Sequence, residues 1–487
     1  MNDVVPFAVA VTLVAVVLSL AVVANRIAER TRVPAPAMFL VGAAVASDLV
    51  PAWADLSPEV VQRIVTIALV AVLFDGGMHI GWRRFRTSAA AIAWIGVAGT
   101  FATAAAVAGL CHVLFGLSWL TSLLIGTALA PTDPAVVFAV LGKKEISGRA
   151  STILEGESGA NDPVGIALMA AILAAGAATG WHAVGVGAAE FVEQMLLGGV
   201  LGVAGGLGLS VFVRRVRLPH PGLYPVRTLA AAAVIYGVTT VVGGSGFLAV
   251  FIAGILVGDV GMPFKADVRR FHSSLASLGE IVAFTVLGLT VSLRSLPQGH
   301  AWQIGLAVAV LLALVVRPVV LVVLMARVRL DRGERVFVLW AGLKGAVPIL
   351  LGTFVLASGV AETERIYDII FVAVAFSVIV QGGLVPWVAA RCRIPMRDTE
   401  LHPWSLDLRF RDEPRGLARH VVGEGSAADG TPLRDLHGRV WVSLVTRDGQ
   451  LVPLGSDTVL RAGDQIVVHV DPASGDIDPV ALFGAPR

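Results

Sequence analysis

The chain has 487 residues, of which 56% are hydrophobic and only 15% charged, with a mean hydropathy of +0.81. A soluble protein of this length keeps roughly 25% charged residues, so most of this chain is expected to lie in lipid. The net charge of +2 comes without a basic face, which excludes nucleic-acid binding. Cys111 and Cys392 have neither CxxC spacing nor metal-site partners, and no disulfide is predicted between them.

Apolar stretches long enough to cross a hydrocarbon core of ~30 Å recur from the beginning of the chain to about residue 390. The first one follows no basic region and is too long for the apolar part of a signal peptide, so it is interpreted as a membrane helix. Thirteen spans are predicted, at 4–25, 34–50, 61–80, 88–115, 117–141, 152–179, 188–213, 224–243, 245–258, 272–292, 302–326, 335–357 and 366–390.

The loops between these spans alternate in charge. Loops rich in arginine and lysine alternate with loops that carry mainly acidic residues. Basic residues close to the ends of membrane spans remain on the cytoplasmic side. We therefore predict a multi-pass protein of the plasma (inner) membrane with its N-terminus outside and its C-terminus in the cytoplasm.

Two of the spans are interrupted near their middle. The fifth contains APTDP at 130–134, and the twelfth contains GLKGAVP at 342–348. Proline removes a backbone donor and disrupts the preceding turn, and a helix that breaks in lipid must line a protein-enclosed or wet cavity. If spans 1–6 and 8–13 form two halves with span 7 between them, each break lies in the fifth helix of its half. Such corresponding interruptions point to a transporter binding site.

The sixth span opens with a polar cluster, EGESGANDP at 155–163. Glu157 and Asn161 are four residues apart, as are Ser158 and Asp162, so a helix would present two adjacent stripes of oxygen ligands. The eleventh span adds Arg317. Each mid-membrane charge costs on the order of 2.5–3.5 kcal/mol, so such charges must pair, hydrate or bind an ion. The charges concerned are Asp133, Glu157, Asp162, Arg317 and Lys344.

These segments resemble the NhaP-type branch of the monovalent cation:proton antiporters in the Na⁺/H⁺ exchanger superfamily. The matching pieces are PTDPAVVFAVL, EGESGANDPVGIAL, VVRPVVL and WAGLKGAVPILLG. The resemblance implies an all-α polytopic membrane protein of about 13 transmembrane helices, in two inverted six-helix repeats with crossed broken helices, plus a small cytoplasmic α+β domain. It also implies a homodimer. No enzymatic activity, cofactor or resident metal is expected.

The resemblance further implies roles for individual residues. Asp162 would be the carboxylate for which cation and proton compete, because a buried carboxylate can hold either one but not both. Thr132, Glu157 and Ser158 would help to coordinate the cation. Asn161 would orient the site.

Three more charges contribute to the predicted site, and the resemblance itself implies the roles of Arg317 and Lys344 at the helix crossing. Arg317 would pair with Glu157, and Lys344 would neutralise the helix crossing or simply balance helix dipoles. Asp133 would either bind the cation or hold the unwound stretch through backbone N–H groups. Since Glu157 is locked by Arg317 and position 161 is Asn161 rather than a second aspartate, the exchange is predicted to be electroneutral, one ion for one proton.

Other polar residues in the spans are interpreted as structural. Asp75 lies beside two glycines in LFDGGMHI and is assigned to helix packing. Glu280 and Gln381 are assigned the same way, as are histidines close to span ends such as His79 and His272.

After about residue 395 the chain changes character and predicts a small soluble unit. Strands are predicted at 441–445 and Gln465–Val470, with an Asp-Gly turn at 448–449. The stretch from GTPLRDL to DQIVVHV resembles the TrkA-C (RCK_C) module, which accompanies potassium channels and cation antiporters and binds small regulatory ligands. We predict a transmembrane exchanger domain at 1–392, a linker at 393–404 and a regulatory domain at 405–475.

The sequence therefore predicts a secondary antiporter that exchanges a monovalent cation for H⁺. K⁺ is favoured because the C-terminal module accompanies potassium transport, and Na⁺ or Li⁺ is the alternative. A regulated potassium channel would need a TVGYG-type filter, an ATP-driven pump a GxxxxGK[ST] loop, and an intramembrane aspartyl protease a GxGD element. The sequence contains none of these.

Overall fold

A bundle of helices and a separate small sheet make up the computed structural model of the chain, which divides into the units Met1–Glu400 and Leu401–Arg487. The predicted first span, 4–25, lies outside the described residues apart from six isolated positions. The structure describes residues 34–50, 56–141, 144–146, 149–176, 180–294, 296–297, 300–328, 330–398, 417–436, 440–448 and 450–470, with the isolated positions 8, 12, 15, 19, 23, 24 and 483.

Sixteen α-helices are present among the described residues of the first unit. They are α1 Ala35–Leu49, α2 Pro58–Ala93, α3 Gly99–Phe115, α4 Trp119–Ala128, α5 Pro134–Leu141, α6 Arg149–Ala175, α7 Gly180–Arg215, α8 Leu223–Val241, α9 Gly246–Gly258, α10 Lys265–Leu289, α11 Ala301–Leu311, α12 Arg317–Leu324, α13 Arg332–Trp340, α14 Ala346–Ala357, α15 Thr363–Phe376 and α16 Val385–Arg391. Single π-helical turns follow α2, α11 and α15, at Trp94–Ala98, Leu312–Val316 and Ser377–Gln381.

The prediction of a mostly helical membrane domain is confirmed. By length and composition, five helices among the described residues can cross a membrane, or six if one bent pair counts as a single span. Four shorter apolar helices accompany them, among them α4 and α14. The predicted spans 61–80 and 88–115 form one helical run, Pro58–Phe115, which is non-helical at Gly81 with a φ of 64°. There the carboxylate of Asp259 accepts the Arg83 N–H at 2.6 Å and supports the bend.

Both predicted interruptions are present. The fifth span is divided into α4 and α5, and the twelfth into α13 and α14. The last span, predicted as one helix at 366–390, is bent by 49° between Thr363–Gln381 and Val385–Arg391. A π-turn, two consecutive glycines and the proline at position 386 lie at this bend, and these are common causes of helix kinks.

Helix α9 is packed tightly between α2 and α7 through glycine. A Cβ added to Gly77 would lie 2.5 Å from the carbonyl oxygen of Phe251, and one on Gly254 would lie 2.5 Å from that of Phe74. On the other side, a Cβ on Gly202 would lie 2.7 Å from the Cα of Ala249. Lipid provides no hydrophobic drive for helix association, so small residues that allow close backbone approach stabilise it.

A two-stranded ladder joins two distant segments of the first unit. Strand β1, Lys144–Ile146, pairs antiparallel with β2, Met396–Asp398, with Glu145 opposite Arg397. The first segment follows the half-helix α5, and the second follows the last helix α16. The predicted linker 393–404 thus begins with a strand that belongs to the membrane unit.

The second unit is an antiparallel sheet. Its strands are β3 Leu417–Val421, β4 Val440–Arg447, β5 Gln450–Leu451 and β6 Gln465–Val470, in the order β3-β6-β4-β5. The strand predicted at Gln465–Val470 is present with the same bounds, and the strand predicted at 441–445 lies within β4. The core is formed by buried apolar side chains, including Val422, Val445, Leu460, Ile466, Val468 and Phe483.

Asp464 organises the turn before β6. Its side chain is buried and accepts the Nε–H and Nη2–H of Arg447, each at 2.7 Å, and the backbone N–H of Arg461 at 2.8 Å. Burial alone would raise the pKa of Asp464, but these hydrogen bonds lower it below its ordinary value. Gly463, with a φ of 89°, supplies the left-handed residue that the turn requires.

We expect Gly254→Val to destabilise the helix bundle, because the new side chain would force α9 away from α2. Overpacking of this kind costs about 1–3 kcal/mol. The melting temperature of the purified protein in detergent should fall. Gly237→Val is the matched control, since a Cβ on Gly237 meets no atom within 4 Å. Equal melting temperatures for the two variants would contradict the tight α2–α9 contact.

Candidate functional site

The two interrupted helices cross, and their unwound segments are hydrogen-bonded to each other. The Asp133 N–H donates to the Leu343 carbonyl at 2.8 Å. Asp133 Oδ1 also accepts the Ala135 N–H at 2.8 Å and so caps the start of α5. A Cβ on Gly345 would overlap the Asp133 carboxylate, so glycine at this position lets the segments meet.

Lys344 closes the crossing from the other side. Its Nζ donates to the carbonyls of Ala130 and Pro131 at 3.2 and 3.0 Å, next to the end of α4. A cation is favourable there because the C-terminal end of a helix carries partial negative charge. The backbone N–H of Lys344 donates to Ser377 Oγ at 3.0 Å. The buried ammonium thus contacts carbonyls of the unwound segment that follows α4.

Arg317 and Glu157 form a buried bidentate ion pair. Arg317 Nη1 lies 3.0 Å from Glu157 Oε1, and Nη2 lies 3.3 Å from Oε2, with the two side chains only 6% and 5% exposed. The guanidinium also donates to the carbonyls of Leu339 and Val338, which end α13. A Cβ on Gly342 would overlap the guanidinium, so the second interruption also depends on a glycine.

Thr132, in the unwound segment of the fifth span, connects this segment to the sixth span through polar contacts. Asn161 Nδ2 donates to Thr132 Oγ1 at 2.8 Å, and the Thr132 hydroxyl reaches Glu157 Oε1 at 3.5 Å, a weak hydrogen bond. Asn161 is buried, and its Oδ1 has no hydrogen-bond partner among the described residues. The amide therefore donates on one side and keeps a free acceptor on the other.

Asp162 lies on α6 and is buried. Among the described residues, no direct contact compensates the charge of its carboxylate. It is 6% exposed, and its Oδ1 has no hydrogen-bond partner within the described part of the chain. Asp162 lines a cavity of about 420 Å³ together with Ser158, Asp133 and the start of α14. Burying a carboxylate without a partner is costly, so the arrangement requires a proton or a cation at this position.

Sequence reasoning missed the opposite wall of this cavity. That wall is formed by α2 and α10 and carries Asp75, His79 and Glu280. Asp75 accepts a hydrogen bond from Ser273 at 3.3 Å, and its Oδ2 lies 3.3 Å from His79 Nδ1. The i,i+4 spacing of Asp75 and His79 could have drawn attention to the pair, as could the rule that ionisable residues in a membrane span are functional by default.

We expect Glu157→Gln and Arg317→Met each to destabilise the protein, because each leaves its partner buried and unpaired, at a cost of about 3–5 kcal/mol. The double variant should lose less stability than the sum of the two single variants. Melting temperatures in detergent test this expectation, with Glu193→Gln on α7 as a control that does not line the cavity. Additive losses would contradict the pairing.

Comparison with known proteins identifies the families that the two parts of the chain match. The family described as the transmembrane sodium/hydrogen exchanger matches residues 13–391, and the TrkA-C domain matches residues 417–476. A K⁺/H⁺ antiporter NhaP from Alkalimonas amylolytica is 32% identical over 385 residues, which cover 78% of this chain and 66% of that protein. A K⁺/H⁺ antiporter NhaP2 from Shewanella sp. strain ANA-3 is 29% identical over 464 residues, covering 93% of this chain and 80% of the relative.

A solved structure shares the fold. The sodium proton antiporter MjNhaP1 from Methanocaldococcus jannaschii at pH 8 superposes with a TM-score of 0.66 at 19% identity, covering 79% of this chain and 99% of that one. The resemblance drawn from the TDP, ESGAND and C-terminal motifs is confirmed. The family match covers nearly the whole length of the chain's first unit. The chain therefore belongs to the sodium/hydrogen exchanger family.

Proposed function

We propose that this chain is a secondary antiporter that exchanges a monovalent cation for H⁺ by alternating access. The observation that carries the proposal is the uncompensated carboxylate of Asp162, buried at the wall of a cavity beside two crossed broken helices. Cation and proton compete for this one group, since a carboxylate in a low-dielectric site is stable when either neutralises it. The named relatives are themselves antiporters.

The neighbouring charges support this assignment because their partners are already in place. Glu157 is held by Arg317, Lys344 by backbone carbonyls, and Asp133 by a backbone N–H. Asp162 differs from them because its Oδ1 has no hydrogen-bond partner among the described residues. Its charge must therefore be neutralised by a proton or a bound cation.

The oxygen atoms around Asp162 suit an alkali cation, which prefers oxygen ligands to nitrogen or sulfur. We propose that Asp162, Ser158 and Thr132 coordinate the ion, with Glu157 contributing from its locked position. Asn161 positions Thr132 through its amide, and its Oδ1 has no hydrogen-bond partner among the described residues. Asp133 combines two roles: it caps α5, and it lines the same cavity.

K⁺ is the proposed ion, because the two sequence relatives described above are named K⁺/H⁺ antiporters. The TrkA-C match to residues 417–476 of the C-terminal unit also supports K⁺. Na⁺ exchange by the same mechanism is the alternative, which is favoured by the name of the structural neighbour. A regulated potassium channel is a distant third, since the sequence carries no filter motif.

We further propose the arrangement in the membrane. The exchanger domain, 1–392, lies in the plasma (inner) membrane as a homodimer, with its N-terminus outside and the regulatory domain, 405–475, in the cytoplasm, joined by residues 393–404. The β1–β2 ladder supports this topology, because it requires the loop after α5 and the segment after α16 to be on the same side. A small regulatory ligand would bind the C-terminal domain.

We expect Asp162→Asn to abolish exchange without loss of folded protein, because asparagine cannot be neutralised by a cation or release a proton. The protein is reconstituted in liposomes with a preset pH gradient, and dissipation of that gradient is followed after K⁺, Na⁺ or Li⁺ is added. Asp267→Asn, at the start of α10 and away from the cavity, is the matched control. Exchange at the normal rate by Asp162→Asn would overturn the mechanism.

We expect the rate of exchange to be independent of membrane voltage, because one cation replaces one proton at a single exchangeable carboxylate. Valinomycin cannot set the potential when K⁺ is the substrate, so a lipophilic-ion gradient is imposed in its place while ΔpH dissipation is recorded. A rate that changes with the sign of the imposed potential would show that each cycle moves net charge, and would contradict one-for-one exchange.

A further inference from the structure

Glu280 is a carboxylate in the middle of a membrane helix that the exchange mechanism above does not use. It lies 15 residues after Lys265 and 9 before Leu289, the two ends of α10. At 1.5 Å per residue it is on the order of 22 Å from one end and 14 Å from the other, well within a hydrocarbon core. An ionisable residue at such depth is by default functional.

Glu280 faces the same cavity as Asp162, but from the opposite wall. Its direction is fixed by close packing, since a Cβ on the adjacent Gly279 would lie 3.1 Å from the Ala68 carbonyl of α2. Ala276 and Ala283, one turn before and after it, also line the cavity and leave the space in front of its side chain open. The carboxylate therefore projects into the cavity.

Among the described residues, no basic side chain is paired with Glu280, and His79 of the same cavity is paired with Asp75. Within the described residues no hydrogen bond or ion pair reaches its carboxylate, and the carboxylates of Asp133 and Asp75 line the same cavity. The remaining titratable groups that line the cavity are Asp162, His79 and Glu155. Arg317 is paired with Glu157, and Lys344 is bound to backbone carbonyls of the unwound segment after α4. A volume of about 420 Å³ holds roughly a dozen waters, enough to hydrate a carboxylate.

We propose that Glu280 is a docking carboxylate for the incoming monovalent cation, which it binds in the cavity before the ion reaches Asp162. The nearby carboxylates make the cavity attractive to any alkali cation. The fully buried site at Asp162 adds selection by its fixed oxygen ligands. Glu280 thus raises the occupancy of the cavity and takes no part in the obligatory exchange with the proton. This inference rests on the proposed antiport.

A docking role predicts a separation of kinetic parameters. In Glu280→Gln the cation concentration that gives half-maximal exchange should rise about tenfold, the effect of one partly screened charge pair. The maximal rate should stay within about twofold, because loss of binding alone raises KM without lowering kcat. Glu280→Asp retains the charge on a shorter side chain and should lie between the wild type and Glu280→Gln.

The full-length protein is reconstituted in liposomes, and K⁺ is titrated at fixed pH while dissipation of ΔpH is followed. Glu193→Gln, on α7 and outside the cavity, is the control for loss of a membrane glutamate. An unchanged half-saturating concentration in Glu280→Gln would overturn the docking role, and so would loss of exchange at every K⁺ concentration. Should Glu280→Gln fail to fold, Glu280→Asp carries the test: a half-saturating concentration equal to that of the wild type would overturn the proposal. Absence of exchange in the wild type would count against the proposed function itself.

Discussion

The architecture of the membrane unit depends on how two broken helices satisfy their backbone groups away from water. Each interruption leaves carbonyls and N–H groups without helical partners, and in lipid such groups cost several kcal/mol each. The molecule meets this requirement with charges: Asp133 at the start of α5, Lys344 near the end of α4 and Arg317 at the end of α13. Charges that would be expensive alone are here stabilising.

This use of charge leaves the carboxylate of Asp162 as the group for the proposed exchange. Arg317 is bidentate to Glu157 and bound to carbonyls as well, so both members of the pair are fully occupied. Lys344 is occupied in the same way. The carboxylate of Asp162 lies one helical turn beyond Ser158 and has no such cation at its unpaired oxygen. At the helix crossing itself, the unpaired carboxylate of Asp162 is suited to a simple competition between two small cations.

Much of this could be predicted from the sequence because it is encoded locally. The two interruptions follow from proline and glycine inside apolar runs, and the polar stripe of α6 follows from the i,i+4 spacing of Ser158 and Asp162. The β6 strand follows from alternation beside a glycine turn. Such signals need only a short window of sequence.

The parts that sequence reasoning missed depend on distant contacts. Asp75 and Glu280 are more than 200 residues apart in the chain, and only the fold places them on one cavity wall. The interpretation of Asp75 as a packing residue came from its two glycine neighbours, of which Gly77 does pack against α9. The bend in the last span was missed because its glycines lie in an otherwise continuous apolar run.

The β1–β2 ladder has a mechanical consequence. Residues 142 and 143 alone separate the end of α5 from β1, and β2 leads directly into the stretch that continues to the C-terminal unit. The ladder therefore connects residues 396–398 to α5, the half-helix that Asp133 caps. A displacement of residues 396–398 would therefore be transmitted to α5 through β1 and the two residues that separate them.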